Sequence, residues 1–586
     1  MYGISGKFDL NHPRVKKLKL PFNESEFKFE KVNSNFLTIN YLNKIKKESH
    51  VKKDNDFFLC VGEIHINKKV IIGTEASKLL QKFYKKKKLN EFINLNGNFL
   101  FFIKKNKLLI IGRSNFSLIP FYYNFYNDHF SFCYDITNLR SNLNKDVSFN
   151  LYKAGQLFLT NGVILDNNTL FKNINFLQNG EIISFQNGKL DTKINNFFTY
   201  SSYEKPYEYH LENCVNSFDK ALDYIEDDKI IKIGLSGGID SRILLSLLKK
   251  KNFKISSYIY GSKNFDEAKI SSDVAKFYKI KHEHIIVKEN DYFKNISEFI
   301  KISSLNGNIN QLPQRLIFKN LSKNSKKHNF IFGSALDCTM GDAWQHDNIL
   351  KLKNKFNLIN FYRNKHVFKF NLKKFSDLFY DKKIAEKIYE DCYEKLKKTV
   401  YKCEGNNLFD INSSFFLECR GKRWYNNSLI YPLHYTNLKS PFYDKNFLYS
   451  LSKIPYQFRK NDFFRIKFLE YLDKKVCEIP SNKTMCNVNT YFPDKENKKF
   501  SKWLKKNYNK KFSSTRHDAN FLEWLIQKNL TYKKVIKYFE NKNELQKNLN
   551  TKKFLLILKN LKKKTYNLKL LLHFISISIY LNYLNK

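Results

Sequence analysis

Nine cysteines are spread over 586 residues, with no Cys-x-x-Cys spacing and no histidine pairing of the kind zinc requires. That excludes a zinc ribbon or finger, and an odd count without regular spacing excludes a secreted disulfide scaffold. The thiols read as scattered side chains in a reducing compartment, so the expected location is the cytoplasm. A basic-then-apolar signal segment is also missing at the N-terminus. The longest apolar stretch near the C-terminus, 570–581, is interrupted by His573, Ser576 and Ser578. It falls short of the roughly 20 residues that a bilayer demands, and no membrane partner is expected. Acidic residues are scarce: Asp+Glu 55 against Lys+Arg 103 leaves a net charge of +48. A nucleic-acid partner would use such charge. The lysines, however, run along the whole chain among many asparagines and form only short clusters, such as Lys85-Lys86-Lys87-Lys88 and Lys562-Lys563-Lys564. Evenly spread charge informs on solubility and non-specific binding and not on fold, so a nucleic-acid partner is set aside.

What is present is one stretch around which the rest is organised, Ser236-Gly237-Gly238-Ile239-Asp240-Ser241. The apolar run 230–235 before it predicts a buried strand, and 242–249 after it predicts the start of a helix. Strand, glycine-rich turn and helix start together make an anion site. Two glycines let the backbone approach, the Ser236 and Ser241 hydroxyls can donate, and the helix N-terminus adds partial positive charge. Asp240 would repel a phosphate there unless a cation such as Mg²⁺ sits between them. The turn lacks the Gly-Lys-Ser/Thr ending of a Walker loop. It resembles the Ser-Gly-Gly-x-Asp-Ser loop of the ATP pyrophosphatases, the PP-loop enzymes, which cleave ATP to AMP and pyrophosphate.

Upstream, residues 1 to about 200 hold short apolar runs such as 57–61 and 108–112, separated by turn signals at Asn96-Gly97, Asn179-Gly180 and Asn187-Gly188. The last two bracket 181–185, a candidate strand, and the region reads as a β-rich layered domain. Four fragments occur in order: 1–6, Gly62-Glu63-Ile64-His65-Ile66-Asn67, Leu95-Asn96-Gly97-Asn98-Phe99, and Gly112-Arg113 leading to Pro120-Phe121-Tyr122-Tyr123. Together they resemble the glutaminase domain of asparagine synthetases and other class II amidotransferases, an N-terminal-nucleophile fold. In that family the second residue is a nucleophilic cysteine whose own α-amine is the base. Here it is Tyr2, a phenol with an ordinary pKa near 10. The oxyanion asparagine that usually precedes Gly-Glu-Ile is Val61, and the aspartate of Leu-Asp-Gly is Asn96. Three departures point to a structural remnant and not a glutaminase.

From residue 229 strands alternate with helices: 255–261, then a helix over 266–278, then strands at 284–287 and 330–333. This predicts a parallel doubly wound sheet with its ligand at the carboxyl ends of the strands, where the Ser236 loop and the turns at Gly261 and Gly333 converge. The stretch 333–341 resembles the family's second signature, with Asp337 on the carboxylate that, with Asp240, holds Mg²⁺ on pyrophosphate. Ser334 and Cys338 stand where acids are usual. Ser440-Pro441-Phe442-Tyr443-Asp444 resembles the Pro-Phe-x-Asp turn, and Lys483 is the candidate for the lysine that steadies charge in the second half-reaction.

The resemblance implies an α+β N-terminal-nucleophile-like domain over 1–200 and an α/β doubly wound, parallel-sheet ATP pyrophosphatase domain over 205–490. A Lys-rich helical C-terminal extension over 491–586 follows, and 198–219 marks the passage between the first two. It implies an ATP- and Mg²⁺-dependent ligase that adenylates a small-molecule carboxylate and passes the acyl group to an amine or ammonia. A separate protein could supply the ammonia. Ser236, Gly237, Gly238, Asp240, Ser241 and Asp337 would serve adenylation, with Leu235, Tyr260, Gly261 and Gly333 lining the nucleotide. Alternatives are an intramolecular amide former resembling β-lactam synthetases and lasso-peptide cyclases, a PP-loop enzyme that modifies transfer RNA, and a non-catalytic protein. The sequence leaves the carboxylate, the amine and the oligomeric state open.

Overall fold

The computed structural model describes residues 3–9, 28–34, 37–43 and 50–291, the last with gaps at 54–55, 127–128, 144–146, 196–197, 227–228 and 262–265. It further describes 295–296, 298–299, 317–318, 321, 328–331, 333, 336, 340, 347–425, 429–481, 488, 530–540, 543–559 and 568–584.

Two antiparallel sheets form the front of the chain. One runs in the order Asn175–Phe176, Tyr122–Tyr126, His129–Cys133, Gly3–Asp9, Leu37–Asn43, Lys28–Ser34. The other runs Lys189–Ile194, Glu181–Gln186, Leu108–Arg113, Asn96–Lys105, Asp56–Ile66, His50–Lys53, with Lys69–Ile72 also paired to Asp56–Ile66. Side chains alternate across a strand, so a run that is apolar throughout must be covered on both faces. Phe57, Leu59 and Val61 enter the core between the sheets with Phe102, Phe121 and Phe132. Phe58 and Cys60, one residue out of phase, pack under the helices Gly73–Lys85 and Leu89–Ile93 through Ala76, Leu80 and Phe92. The bracketed strand is Glu181–Gln186, and its hairpin turns at Asn187 and Gly188, both at positive φ (49° and 70°), as the expected turn type requires.

The outer face of the first sheet is covered by helices drawn from distant parts of the chain. Tyr122 and Cys133 share one core with helix Leu151–Thr160, helix Lys382–Lys402 and the C-terminal helices Thr551–Lys559 and Leu568–Leu584. Phe554 stacks on Phe574 at 4.4 Å, and the hydroxyls of Thr137 and Tyr580 meet at 3.1 Å. The apolar stretch at 570–581 is thus a core helix, buried around its circumference. No described helix is long and apolar enough to cross a membrane.

The third sheet is fully parallel, in the order Lys281–Ile286, Ile255–Gly261, Ile230–Gly234, His328–Ile331, Leu438–Lys439. Helix Ile239–Lys250 contributes Ile243, Leu244 and Leu247 to the same core as Ile231 and Ile233, the two buried isoleucines of the central strand, while Lys232 between them is only partly buried. Most of the expected interdomain passage is helix Tyr207–Ala221, whose Leu211, Cys214 and Phe218 join the same core. Tyr200, just before it, is fully buried, so apolar spacing outweighs Ser201-Ser202 and Pro206 as linker signals. The seven cysteines among the described residues are all buried and free.

Where the sandwich meets the C-terminal half, Glu181 is buried and accepts from the Gln178 amide at 2.7 Å. Burial raises its carboxyl to about 7, with Arg423, Arg113 and Lys402 acting in the opposite direction. An acid whose folded pKa is raised contributes stability at low pH, lost as pH climbs from the unfolded value of 4.5 through about 7. The loss is on the order of 3 kcal/mol. Urea unfolding of the wild type between pH 4.5 and 8 is expected to show that decline and Glu181→Gln to lack it; parallel curves for the two proteins would contradict the assignment.

Candidate active site

The central strand Ile230–Gly234 ends with Leu235, whose amide donates to the Tyr258 carbonyl at 2.9 Å and whose side chain is buried in the core. The chain then leaves the sheet through Ser236-Gly237-Gly238 and enters helix Ile239–Lys250 with Gly238 as its N-cap. The turn is tied together from within. The Ser236 amide donates to Ser241 Oγ at 3.2 Å, the Gly238 amide donates to Ser236 Oγ at 3.1 Å, and the two hydroxyls lie 3.1 Å apart. Ser241 Oγ is also within 3.1 Å of the Ser236 carbonyl and 3.3 Å of the Gly238 carbonyl. The serines, expected to donate to a phosphate, here shape the loop that presents backbone amides and the helix N-terminus.

Neighbouring strand ends bring the other candidates alongside. Gly234 is in register with Tyr258, so Tyr260 and Gly261 continue the adjacent strand past it. The backbone at Gly333 runs beside the helix start; a Cβ placed there would lie 3.5 Å from Ser241 Cα. Ser236, Gly237, Gly238, Asp240, Ser241 and Gly333 therefore meet at one strand end, with Tyr260 and Gly261 at the next. Asp337 and Lys483 lie outside the described residues.

Two arginines that the sequence reading passed over organise this site. Arg242 is fully buried, and its guanidinium reaches the loop and the 476–480 segment at once. Nη1 donates to the carbonyls of Ile479 at 2.7 Å and Val476 at 3.2 Å; Nη2 donates to Gly237 at 3.1 Å and to Pro480. Burial lowers this group to about 10, which leaves it charged at neutral pH. Arg465 Nη1 donates to Asp240 Oδ1 at 2.8 Å, and its other nitrogen pairs with Asp462. Neither arginine belongs to a recognisable spacing, and among 103 basic residues each is anonymous.

The Asp240 carboxylate thus faces a guanidinium. Among the described residues no group of three or more His, Cys, Asp or Glu side chains could hold a metal ion. The described part of the site does not assemble a Mg²⁺ site around Asp240, and its expected partner Asp337 falls outside it.

The amidotransferase-like fragments sit on the opposite side of a charged seam. Gly62, opposite Phe99, and Gly97, opposite Ile64, lie on adjacent strands at φ 118° and 134°, where an added Cβ would come within 2.1 and 2.2 Å of the Asn98 and Glu63 backbone oxygens. Only glycine fits there. Val61 buries its side chain between the sheets and presents no donor. Asn96 Nδ2 donates to Asp444 Oδ2 at 2.7 Å, and its Oδ1 accepts from the Lys445 amide at 2.6 Å. Asp444 is the N-cap of helix Lys445–Ser452, in the predicted Pro-Phe-x-Asp turn. An aspartate at position 96 would oppose that carboxylate; asparagine turns repulsion into a hydrogen bond. Beside it, Lys439 Nζ pairs with Glu63 at 2.9 Å. Burial works to raise the Glu63 carboxyl, yet Lys439 and His65 hold it well below the usual carboxylate range.

Replacing Arg242 by alanine removes donors from four backbone carbonyls, each partner of a charged donor being worth roughly 1.5–3 kcal/mol. Arg242→Lys offers a point charge that cannot fork between two segments. Both variants are expected to unfold at lower urea, alanine by about 3 kcal/mol, and to bind ATP more weakly. Wild-type nucleotide affinity in Arg242→Lys would contradict the loop-clamp role.

The asparagine synthase family profile matches residues 219–328, and the glutamine amidotransferase domain profile matches residues 71–198. A putative glutamine-hydrolyzing asparagine synthetase 2 of Methanocaldococcus jannaschii is 24% identical over 243 residues, 39% of this chain and 46% of that protein. The microcin J25-processing protein McjC of Escherichia coli is 24% identical over 225 residues, 38% of this chain and 42% of that protein. The matched region spans less than half the length of either relative. Among solved structures, NMN synthetase from Francisella tularensis is 19% identical, with 24% of this chain and 59% of that one covered at a TM-score of 0.19. With an amidotransferase profile over 71–198 followed by a synthase profile over 219–328, the chain is similar over these residues to asparagine synthetase-like proteins.

Proposed function

We propose that this protein is an ATP-dependent ligase that forms an amide bond through an acyl-adenylate and carries no glutaminase activity of its own. The observation that carries this reading is the Ser236–Ser241 turn at the carboxyl end of the central parallel strand, clamped by Arg242. A substrate carboxylate oxygen attacks the α-phosphorus of ATP and pyrophosphate leaves. An amine nitrogen then attacks the acyl carbon, AMP leaves with the bonding pair, and the amine's proton passes to solvent. The activation replaces oxide, a poor leaving group, by AMP and holds the acyl carbon near the amine. The turn's amides and helix start would bind the phosphates. In this reading Tyr260, Gly261, Gly333 and the Leu235 backbone line the nucleotide, and Lys483 acts in the second half-reaction. Mg²⁺ with Asp240 and Asp337 remains the expected partner of pyrophosphate, and ammonia would come from solution or from another protein.

A second reading draws the amine from the substrate itself. It is favoured by Val61, which offers no oxyanion donor, and by Asn96, whose amide is taken up by Asp444. Similarity to a microcin-processing protein runs in the same direction.

ATP–pyrophosphate exchange tests the proposal. Wild-type protein is expected to exchange in the presence of one carboxylate from a panel that includes aspartate and peptide acids. Asp240→Ala is expected to lower exchange by about 100-fold or more. Incubation with glutamine should release no glutamate. Exchange independent of Asp240, or glutamate release at the rate of amide formation, would overturn the reading.

A further inference from the structure

A cavity of about 570 Å³ lies between the amidotransferase-like sandwich and the helices Lys382–Lys402 and Leu408–Phe416, with the wide helical turns Leu417–Tyr425 at its base. It shares no lining residue with the Ser236 turn or with Gly333. Its volume falls in the range of sites for small organic ligands, roughly 300–1,000 Å³.

The charge lining it does not cancel. Asp166 is already held by Lys153 at 2.8 Å and by Lys395 at 2.7 Å. Glu418 is held by Lys422 at 3.0 Å and Arg423 at 3.5 Å. Those two carboxylates are each matched by two cations, of which Lys395 also pairs with Asp391 at 2.6 Å, and positive charge remains in excess. Lys398 and Lys402 add to it, exposed on the cavity wall. Lys395, Lys398 and Lys402 follow i, i+3, i+7 spacing and so share one helix face. Attraction to the helix C-terminus accounts for a cation in the last turn, Lys402, but not for the row of three. Glu404 is the one further carboxylate among the lining residues. Arg423 is buried, donates to the Ile164 carbonyl and to Gln178 Oε1, and keeps a buried Nε with no hydrogen-bond partner. Amide side chains (Asn94, Asn167, Gln178, Asn195) complete a wall able to both donate and accept.

We infer that this cavity binds a small polar molecule carrying two or more anionic oxygen groups, held by Lys398, Lys402 and Arg423. Its walls come from both the sandwich and the helical half, so occupancy would fasten the two together, and a ligand that binds only the folded state raises its stability by mass action. The inference is independent of the adenylation chemistry.

Calorimetry on the full chain tests it, with citrate and succinate as carboxylate probes and inorganic phosphate and pyrophosphate as phosphate probes. At least one probe is expected to bind, and Lys398→Gln/Lys402→Gln should weaken it about tenfold, as the loss of two exposed ion pairs implies. Both lysines are exposed, so the thermal unfolding of that variant without ligand should match the wild type. Lys85→Gln/Lys86→Gln, an equal charge change at an exposed site elsewhere, should leave the affinity unchanged. Which probe type binds identifies the anionic group. No heat with any probe, or equal weakening by the two double variants, would overturn the inference, the latter because it marks the general attraction of a highly basic chain.

Discussion

The fold presents the Ser236–Ser241 turn through one buried guanidinium. A strand-to-helix turn with two glycines is conformationally permissive, and permissive loops do not hold amides in one place without support. Arg242 supplies that support from inside the protein, forking between Gly237 on the loop and the carbonyls of Val476, Ile479 and Pro480. A buried arginine stays charged and planar, so it can satisfy several carbonyls that would otherwise be stranded without donors. The serines finish the work locally, and the loop geometry depends on a contact 234 to 238 residues away in sequence.

The same economy joins the front sandwich to the parallel sheet. Among the fragments that resemble a glutaminase, Gly62 and Gly97 stand where the backbone geometry requires glycine. Glu63 and Asn96 point their polar groups at Lys439, Asp444 and Lys445. Removing one partner of such a buried pair strands the other, which costs several kcal/mol, so these residues tie the sandwich to the parallel-sheet half. At the far face of the sandwich, the C-terminal helices share a core with residues 151–160 and 382–402, so they form part of the body and not an appended tail.

Much of the Ser236–Ser241 turn is legible in the sequence because its physics is local. Apolar strand, glycine turn and helix start are adjacent, and the structure places Ser236 through Ser241 as that order predicts. The strand 255–261 and the turn at Asn187-Gly188 are legible for the same reason, and the strand expected at 284–287 is found three residues earlier in its start, at Lys281–Ile286. Contacts between distant segments are not legible. Nothing near Arg242 or Arg465 distinguishes them from other helix arginines, and the Asn96–Asp444 bond spans 348 residues. The apolar stretch 570–581 is legible in the sequence, but not that residues between 122 and 174 share its core. Hydroxyls were read as phosphate donors because sequence shows composition and not which partner a side chain already has.

Adenylation makes a claim about one oxygen atom, and that atom can be followed. If the carboxylate attacks the α-phosphorus and the acyl group then leaves for an amine, one carboxylate oxygen must stay on phosphorus. With an ¹⁸O-labelled carboxylate substrate, the account predicts label in AMP, found by mass spectrometry, together with unlabelled pyrophosphate. Label in inorganic phosphate with release of ADP would mean attack at the γ-phosphorus and would contradict it.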